Sequence, residues 1–420
     1  MTVRAFTGGA GCGKTYQLMQ ALRAHLEEAP LAEGQKVLAL TFMHGSRRRL
    51  EERIAEIPGL KSRAVCTTID SFSWGLVRRW RSLAAALDHV RVDPGQYELV
   101  CNAAADLLGV SEVQGWVNAT FPVLLIDEAQ DLTSNRLRVV QGLAVLGRVL
   151  VAADEFQCLN EDLRPNPACD WLEQAGDSLN LVQPRRTEIQ ELLDAATAIR
   201  NGTPPQSGNL FKVQLASRPA LAGTWASNNL NWFGGGRRVA IITPVLREFA
   251  QACVNWVAVN RTNQGAGPYT IEWEKSEARS TEDFIASMAL EDSNDVPSLG
   301  ASLVAAADPR IARAVTDWMD VQRRAQGKVT FSRHEVVRVI EQAFSQRRRQ
   351  SHGEGRRWSG MTVHGAKNRE FDSVIVLWPA AVVGSDEQKR RLLYNAVTRA
   401  RSRCLVLVQA AAQMRRAPFA

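Results

Sequence analysis

The sequence predicts an α/β protein with parallel β-sheets arranged in two domains. The first observation behind this prediction is a glycine-rich loop between a short strand and an amphipathic helix. The second is a series of apolar, strand-like segments that end in polar or acidic residues, as strands do at the carboxyl edge of a parallel sheet. The third is length, because 420 residues exceed one ordinary domain, and 45% hydrophobic residues suffice for several cores.

The glycine-rich loop fits the GxxxxGK[ST] pattern of phosphate-binding loops. Backbone N–H groups of such a loop surround phosphates, while its lysine reaches the terminal phosphates and its hydroxyl binds Mg²⁺. A strand is predicted over 3–6, and apolar residues at helical spacing follow the loop, so a helix dipole points at the anion. A chance glycine loop is the alternative, which these flanks disfavour. The predicted nucleotide-binding residues are Gly8, Gly9, Ala10, Gly11, Cys12, Gly13, Lys14 and Thr15.

Two further buried strands are predicted over 36–42 and 65–72, followed by a helical segment over 74–118. The first strand ends in Thr41 and Phe42, and the second runs through Thr68 to Ser71. Ligands of parallel-sheet proteins collect at such strand ends. Phe42 alone is either a core residue or a ring that stacks on a base, and the core is the favoured alternative.

A strand within 121–131 (FPVLLIDEAQD) delivers two adjacent carboxylates to the sheet edge. In P-loop enzymes an aspartate at this place holds Mg²⁺, and a neighbouring glutamate can orient and deprotonate the attacking water. These are the roles predicted for Asp127 and Glu128, with a carboxylate pair capping the next helix as the alternative. A strand over 148–153 ends in Asp154, and Gln157 lies where it could report on the γ-phosphate.

The amino-acid composition excludes several classes of protein for this sequence. The net charge of +7 permits a polyanionic partner without requiring one. The seven cysteines are scattered without a CxxC pair, so neither a zinc site nor a disulfide framework is predicted. The sequence has no apolar run near the roughly 20 residues of a membrane span and no signal peptide before the loop. We therefore expect a cytoplasmic protein without a membrane partner.

The second half predicts another sheet, interrupted by helices. An amphipathic helix is predicted within 181–200, loops and turns over 201–236, and a buried strand over 238–243. The composition becomes helical over about 276–358, before the stretches MTVHGAKNREFDSVIVL (361–377) and RRLLYNAVTRA (390–400).

The motifs GGAGCGKT, LTF, TIDSF, LLIDEAQD and ADEFQ, in this order, resemble those of UvrD/Rep/PcrA-type superfamily 1A helicases. The resemblance implies two RecA-like P-loop NTPase domains, about 1–180 and 181–420, each with a small helical insertion, and it implies ATP and Mg²⁺ as cofactors. By resemblance, Lys14 and Thr15 bind the phosphates and Mg²⁺, Asp127 completes the metal site, Glu128 is the general base, and Gln157 senses the γ-phosphate. The positions that contact DNA in the family are occupied by Thr41, Phe42, Thr68 and Ser71.

The second half extends the resemblance. Arg185 best matches the arginine that reaches the γ-phosphate from the second domain, although adjacent Arg186 leaves the assignment open. The stretch 361–377 resembles the TxHxAKGxEF motif, which implies coupling or DNA contact for His364 and Lys367. The same motif implies a ribose contact for Glu370.

The stretch 390–400 resembles the final family motif and makes Arg399 the arginine finger. Such an arginine stabilises charge on the equatorial oxygens of a metaphosphate-like transition state. Arg401 and Arg403 are close in sequence, but alternation along the chain points them elsewhere. A surface ion pair is the alternative for Arg399.

Some positions depart from the family pattern. Pro184 replaces the tyrosine that stacks on the nucleotide base, Tyr16 replaces an arginine, and only seven residues precede the P-loop where the family has an adenine-reading glutamine. Tyr16 is then the ring expected to stack on the base, with loose base preference, so other NTPs remain open besides ATP. Asn368 replaces a glycine, and asparagine enters the left-handed region more readily than other non-glycine residues. The segment 158–162 (CLNED) lacks the family's base-stacking aromatics, which predicts a weaker grip on DNA.

The predicted function is a DNA-dependent ATPase that translocates on single-stranded or tailed DNA and unwinds duplex, with 3′ to 5′ polarity by resemblance. The competing prediction is a regulatory NTPase subunit that senses DNA ends or nucleotides for a partner nuclease, as in UvrD-like components of Gabija-type phage defence. A P-loop enzyme unrelated to nucleic acid is the weakest alternative. The complete motor motifs favour the first, and the small insertions and missing aromatics favour the second.

Overall fold

The structure is a computed structural model that describes residues 2–42, 44–90, 92–93, 95–175, 177–182, 187–233, 237–274, 277–306, 308–351 and 357–420. The first α/β domain is built on six strands: β1 Thr2–Gly8, β2 Val37–Thr41, β3 Ala64–Thr68, β4 Val123–Asp127, β5 Arg148–Ala153 and β6 Ser178–Leu181. They lie in the order β3-β2-β4-β5-β1-β6, and every neighbouring pair is parallel. Its helices are α1 Lys14–Glu28, α2 His44–Ala55, α3 Ile69–Arg79, α4 Arg81–Ala86, α5 Tyr97–Leu107, α6 Ser111–Thr120, α7 Ser134–Ala144 and α8 Pro167–Gln174.

Helices cover both faces of this sheet, as the buried strands predict. Along β2, Leu38 and Leu40 belong to the core with α3, α5 and α7, while Val37 and Ala39 belong to the core with α1 and α2. This period-2 division between two cores explains why every residue of β2 is buried. The sheet therefore holds the carboxyl ends of its strands rigidly along one edge, where the candidate site lies.

The prediction of a strand over 65–72 is wrong for residues 69–72. β3 ends at Thr68, and α3 begins at Ile69. The Thr68 hydroxyl accepts a hydrogen bond from the Ser71 N–H (3.2 Å), so the threonine caps the helix, and Asp70 lies in the first turn near the positive end of the dipole. The small polar residues thus start a helix instead of extending a strand.

The rest of the chain contains β7 Phe211–Leu215, β8 Val239–Thr243, β9 Glu272–Trp273, β10 Ser293–Asp295, β11 Thr330–Ser332, β12 Trp358–Thr362, β13 Phe371–Trp378 and β14 Ala400–Val408. Its helices are α9 Gln190–Asn201, α10 Pro219–Trp232, α11 Glu248–Val259, α12 Glu277–Ser287, α13 Val296–Val304, α14 Pro309–Gln326, α15 Arg333–Ser351, α16 Val363–Ala366 and α17 Asp386–Val397. The second sheet has the order β7-β14-β13-β8-β12-β9, and the pairs from β7 to β12 are parallel. Two parallel-sheet domains of RecA-like type are thereby confirmed.

The loops predicted over 201–236 are wrong, because this stretch contains β7 and the 14-residue helix α10. The asparagines of α10 conceal a buried face that includes Ala222, Ala226 and Leu230. Gly223 lies against the ring of Trp256 on α11, where a β-carbon would come within 2.3 Å of the ring. The glycine therefore serves helix packing here and does not mark a turn.

Residues 273–356 form a separate compact unit. Helices α12 to α15 and an antiparallel pair, β10 with β11, surround a core of its own that includes Phe284, Val315 and Phe331. Asp295 and Asp308 accept hydrogen bonds from backbone N–H groups at the starts of α13 and α14. None of the helices in the described part of the chain has the length and apolarity needed to cross a membrane.

Candidate nucleotide-binding site between the two sheets

The glycine-rich loop joins β1 to α1 with a backbone that glycine makes accessible. Gly11 and Gly13 have φ values of 78° and 82°, and Gly13 is the N-cap residue of α1. Gly8 is required by protein packing as well, because a β-carbon there would lie 2.2 Å from the Leu181 carbonyl oxygen on β6. The loop thus presents backbone N–H groups at a helix N-terminus, the arrangement that binds phosphate.

Lys14 extends across this loop. Its ammonium donates hydrogen bonds to the carbonyl oxygens of Gly8 (2.9 Å) and Gly9 (2.8 Å), and lies 3.7 Å from the Asp154 carboxylate. Thr15 is half-buried, whereas the side chain of Tyr16 is 45% exposed. The exposed ring fits the expectation that Tyr16 stacks on a base, and its role remains a prediction.

The two carboxylates predicted to act on metal and water lie at the end of β4. Asp127 is paired in register with Thr41 of β2, so the acid and a buried hydroxyl-bearing residue share one edge. Burial, with a smaller contribution from the Glu128 charge, raises the pKa of Asp127 to about 7, and the Lys14 charge opposes this shift. A carboxylate in such surroundings is stabilised by a cation.

The donor set suits Mg²⁺. Asp127 offers carboxylate oxygens and Thr15 a hydroxyl, and Mg²⁺ prefers hard oxygen ligands supplied by one or two carboxylates together with substrate phosphates. Within the described ranges no group of three or more His, Cys, Asp or Glu side chains could hold a metal by itself. The residues present therefore fit a metal that arrives with the triphosphate.

Glu128 follows Asp127 in an unusual backbone conformation. Its φ of 62° and ψ of 45° lie in the left-handed region, which is rare for a residue other than glycine and costs about 1–3 kcal/mol. The chain turns sharply here into the short helical turn Ala129–Asp131. The strand geometry of β4 therefore ends at Asp127, and Glu128 belongs to the turn that follows.

Gln130 connects the acid pair to the next strand, and sequence reasoning did not single it out. Its buried amide donates to the Glu128 carboxylate, and its oxygen accepts the Asp154 N–H at 2.9 Å. Asn166 in turn donates to the Gln130 carbonyl at 2.9 Å. The only signal in the sequence was the position of Gln130 inside the DEAQD motif.

Gln157 lies in the short turn Glu155–Gln157 after β5. Its amide nitrogen donates to Asp154 at 2.7 Å, and its amide oxygen accepts a hydrogen bond from Arg399 at 3.1 Å. These two contacts fix the orientation of the amide. They also bring together, across the two α/β domains, the residues predicted to sense the γ-phosphate and to act as arginine finger.

Arg399 is only 1% exposed. Its Nε donates to the Asn395 carbonyl oxygen at 2.9 Å, which holds the guanidinium against the end of α17. Arg401, two residues later, is exposed and ion-paired with Glu370, and the Arg403 guanidinium lies 5.1 Å from the centre of the Trp232 ring. The three arginines therefore have different surroundings, and only Arg399 is described in contact with Gln157.

Two residues of the second domain reach the P-loop region without having been predicted to. The Tyr394 hydroxyl on α17 accepts the N–H of Ala10 at 2.7 Å. Arg200, in the last turn of α9, donates to Asp154 at 2.9 Å and to the Tyr394 hydroxyl at 3.3 Å. Burial, followed by the Asp154 charge, raises the pKa of Tyr394 to about 12, so the hydroxyl remains protonated.

The residues at the family's DNA-contacting positions lie at the ends of β2 and β3. Thr41 and Thr68 are buried, and Thr68 is engaged as the cap of α3, whereas Ser71 is exposed. Phe42 is half-buried, with the Arg136 guanidinium 5.4 Å from its ring centre. The half-buried Phe42 ring fits both alternatives for this residue, a place in the core and stacking on a base.

His364 and Lys367 follow β12 and differ in exposure. His364 is exposed on α16, whereas Lys367 forms a buried ion pair with Asp131 of the first domain at 2.5 and 2.6 Å. This pair favours the coupling role for Lys367 over DNA contact. The predicted ribose contact, Glu370, is half-buried in its ion pair with Arg401. Arg185 and Pro184 lie outside the described residues.

Two segments of the chain match models of known protein families. Residues 360–407 match the model of the UvrD-like helicase C-terminal domain, and residues 1–161 match the model of an AAA domain. Residues 360–407 are therefore UvrD-like in sequence. The C-terminal match includes His364, Lys367, Glu370 and Arg399, so the UvrD-like part of the chain contains every described site residue predicted in the second domain.

Among solved structures, this chain is similar to arterivirus nonstructural protein 10, a helicase. The crystal structure of that protein shares 11% identity at a TM-score of 0.42 and covers 99% of this chain and 62% of the viral one. Its complex with DNA shares 11% identity at a TM-score of 0.40, with 98% and 62% covered. The chain thus spans about 62% of the viral helicase. A comparison with curated protein sequences finds no match.

Proposed function

We propose that this protein is an ATP-hydrolysing DNA helicase, a nucleic-acid-dependent NTPase that translocates on single-stranded DNA and unwinds duplex 3′ to 5′. The observation that carries the proposal is the contact between Arg399 and Gln157 across the motor domains. A residue at a strand end of one domain and an arginine of the other can respond together to a γ-phosphate bound between them. Such an arrangement converts nucleotide binding and hydrolysis into relative motion of two domains.

Within this proposal each residue has one task. The loop N–H groups and Lys14 hold the triphosphate, and Thr15 with Asp127 would hold Mg²⁺, which neutralises phosphate charge when bound. Glu128 orients the attacking water and accepts its proton. Arg399, together with Arg185 by resemblance, approaches the γ-phosphate as the domains close, and release of phosphate lets them separate. Contacts of the two domains with the DNA strand then alternate.

The proposed function is tested by the ATPase rate with and without single-stranded DNA, alongside strand displacement on 3′-tailed and 5′-tailed duplexes. We expect stimulation by the single strand and displacement only of the 3′-tailed substrate. Displacement from the 5′ tail would reverse the polarity. Hydrolysis that single-stranded DNA leaves unchanged would contradict a DNA-dependent motor.

One observation favours a second function, the regulatory NTPase subunit that controls a partner nuclease. After Gln157, Cys158 is buried and Leu159 packs against the core of the second domain. Asn160 to Asp162 are polar, so this segment presents no ring to a DNA base, and base stacking is worth about 1–3 kcal/mol per base. DNA-stimulated hydrolysis without strand displacement would support this alternative.

Loose selectivity for the nucleotide base is a further prediction. Tyr16 can stack on any base, and stacking discriminates little between bases because every base has a π-face. We expect ATP, GTP and CTP to be hydrolysed with kcat/KM values within about tenfold of one another. Steady-state kinetics with each triphosphate measures this, and Tyr16→Ala should raise all three KM values together. Strict dependence on ATP would show that other residues read adenine.

A further inference from the structure

Asp154 is a fully buried carboxylate at the centre of the candidate site. One of its oxygens accepts from Arg200 at 2.9 Å. The other accepts from Gln157 at 2.7 Å and lies 3.7 Å from the Lys14 ammonium. Its side chain has 0% exposure, whereas that of Arg200 is 34% exposed. A buried negative charge this close to a phosphate-binding lysine is unfavourable for an incoming polyanion unless another cation compensates it.

Arg200 is the described residue placed to supply that compensation. Its guanidinium bonds to Asp154 and to the Tyr394 hydroxyl, and it lies 5.5 and 5.8 Å from the ring centres of Phe156 and Tyr394. One of its nitrogens lies 3.5 Å from where a β-carbon of Gly9 would be. The charge is therefore held beside the P-loop by contacts that fix its direction.

The same contacts join the two motor domains. Arg200 and Tyr394 come from α9 and α17 of the second domain, while Asp154 and Ala10 belong to the first. The second domain thus places a positive charge beside Asp154 and a hydroxyl beside the loop.

We propose that Arg200 is a positioning residue for ATP binding, which neutralises Asp154 so that Lys14 is available to the phosphates. The inference rests on the proposed function for its nucleotide and adds a residue that no family motif assigned in the sequence. Without Arg200, the negative charge of Asp154 attracts the Lys14 ammonium and repels the triphosphate. Removing the charge of Asp154 as well should then restore binding.

A purely structural latch is the rival explanation, and Arg391 provides the matched control. Arg391 is also a buried arginine of the second domain that reaches the first, where it donates to the Glu155 carbonyl oxygen. Its charge is balanced by Glu387 on its own helix at 2.6 Å. Loss of Arg391 therefore removes a contact between the domains without unbalancing Asp154.

The experiment compares Arg200→Met, Arg200→Lys, the double variant Arg200→Met with Asp154→Asn, and Arg391→Met with and without Asp154→Asn. Binding of a non-hydrolysable ATP analogue is measured by calorimetry, and KM and kcat are measured with saturating single-stranded DNA. We expect Arg200→Met to raise Kd and KM by about 10- to 100-fold with a smaller change in kcat. Arg200→Lys keeps the charge but not the planar contacts of the guanidinium, so it should raise Kd less than Arg200→Met does.

The double variant is the deciding measurement. Recovery of Kd to within about threefold of wild type, with no recovery when Asp154→Asn is added to Arg391→Met, supports the inference. Unchanged binding by Arg200→Met, or failure of the double variant to recover, overturns it. Wild-type protein that binds the analogue but is not stimulated by DNA would sink the proposed function, while the binding series would still test Arg200.

Discussion

Replacing Glu128 by glutamine is expected to lower kcat for ATP hydrolysis by about 10² to 10⁴-fold, the usual contribution of a positioned general base. Glutamine keeps the size and can remain in a hydrogen bond with Gln130, but it cannot take the proton of the attacking water. The left-handed backbone conformation of residue 128 is equally unfavourable in free energy for glutamate and for glutamine. The variant should therefore bind nucleotide with an affinity near that of wild type.

The measurement is single-turnover hydrolysis of ATP in the presence of single-stranded DNA, together with calorimetric binding of a non-hydrolysable analogue. Glu173→Gln is the matched control, because Glu173 is exposed on α8 and the same chemical change there should leave both quantities unaltered. If Glu128→Gln hydrolyses ATP at the wild-type rate, the assignment of the general base is wrong.

The parts of the site that the sequence could predict are those fixed by local rules. The P-loop and the acidic end of β4 are each coded within about ten consecutive residues, in which strand, turn and helix signals agree. The prediction of β5 over 148–153 is confirmed residue for residue. Asn368, expected to tolerate a left-handed backbone, has a φ of 62°.

The features that could not be predicted from the sequence depend on tertiary contacts. Arg200 lies at the end of an amphipathic helix, where a basic residue is favourable on dipole grounds alone, so nothing local distinguishes it from a surface arginine. Its relation to Asp154, 46 residues earlier, arises only when two domains meet. The same holds for α10, whose asparagine-rich second half is typical of a loop, although one face of the helix is buried against α11.

Arg399 was predicted in part from the sequence, and the structure adds the rest. Motif order marked it, and chain alternation separated it from Arg401, which pairs with Glu370 instead. Its hydrogen bond to Gln157, 242 residues earlier in the chain, could only come from the structure. Because of that contact, we expect a substitution of Arg399 to remove a charge and also to break a hydrogen bond to the first domain.

Replacing Arg399 by alanine is expected to lower kcat by about 10³ to 10⁵-fold, because an arginine finger contributes that much to phosphoryl transfer. Arg399→Lys should recover little, since a lysine cannot bond Asn395 and Gln157 with the same planar fork. Single-turnover hydrolysis with saturating DNA measures the effect, and thermal unfolding checks that the buried site tolerates the change. Arg403→Ala is the matched control, because Arg403 lies on Trp232. Equal losses in Arg399→Ala and Arg403→Ala would point to a general effect on β14. A selective loss that leaves analogue binding within about tenfold of wild type would instead place Arg399 in the transition state.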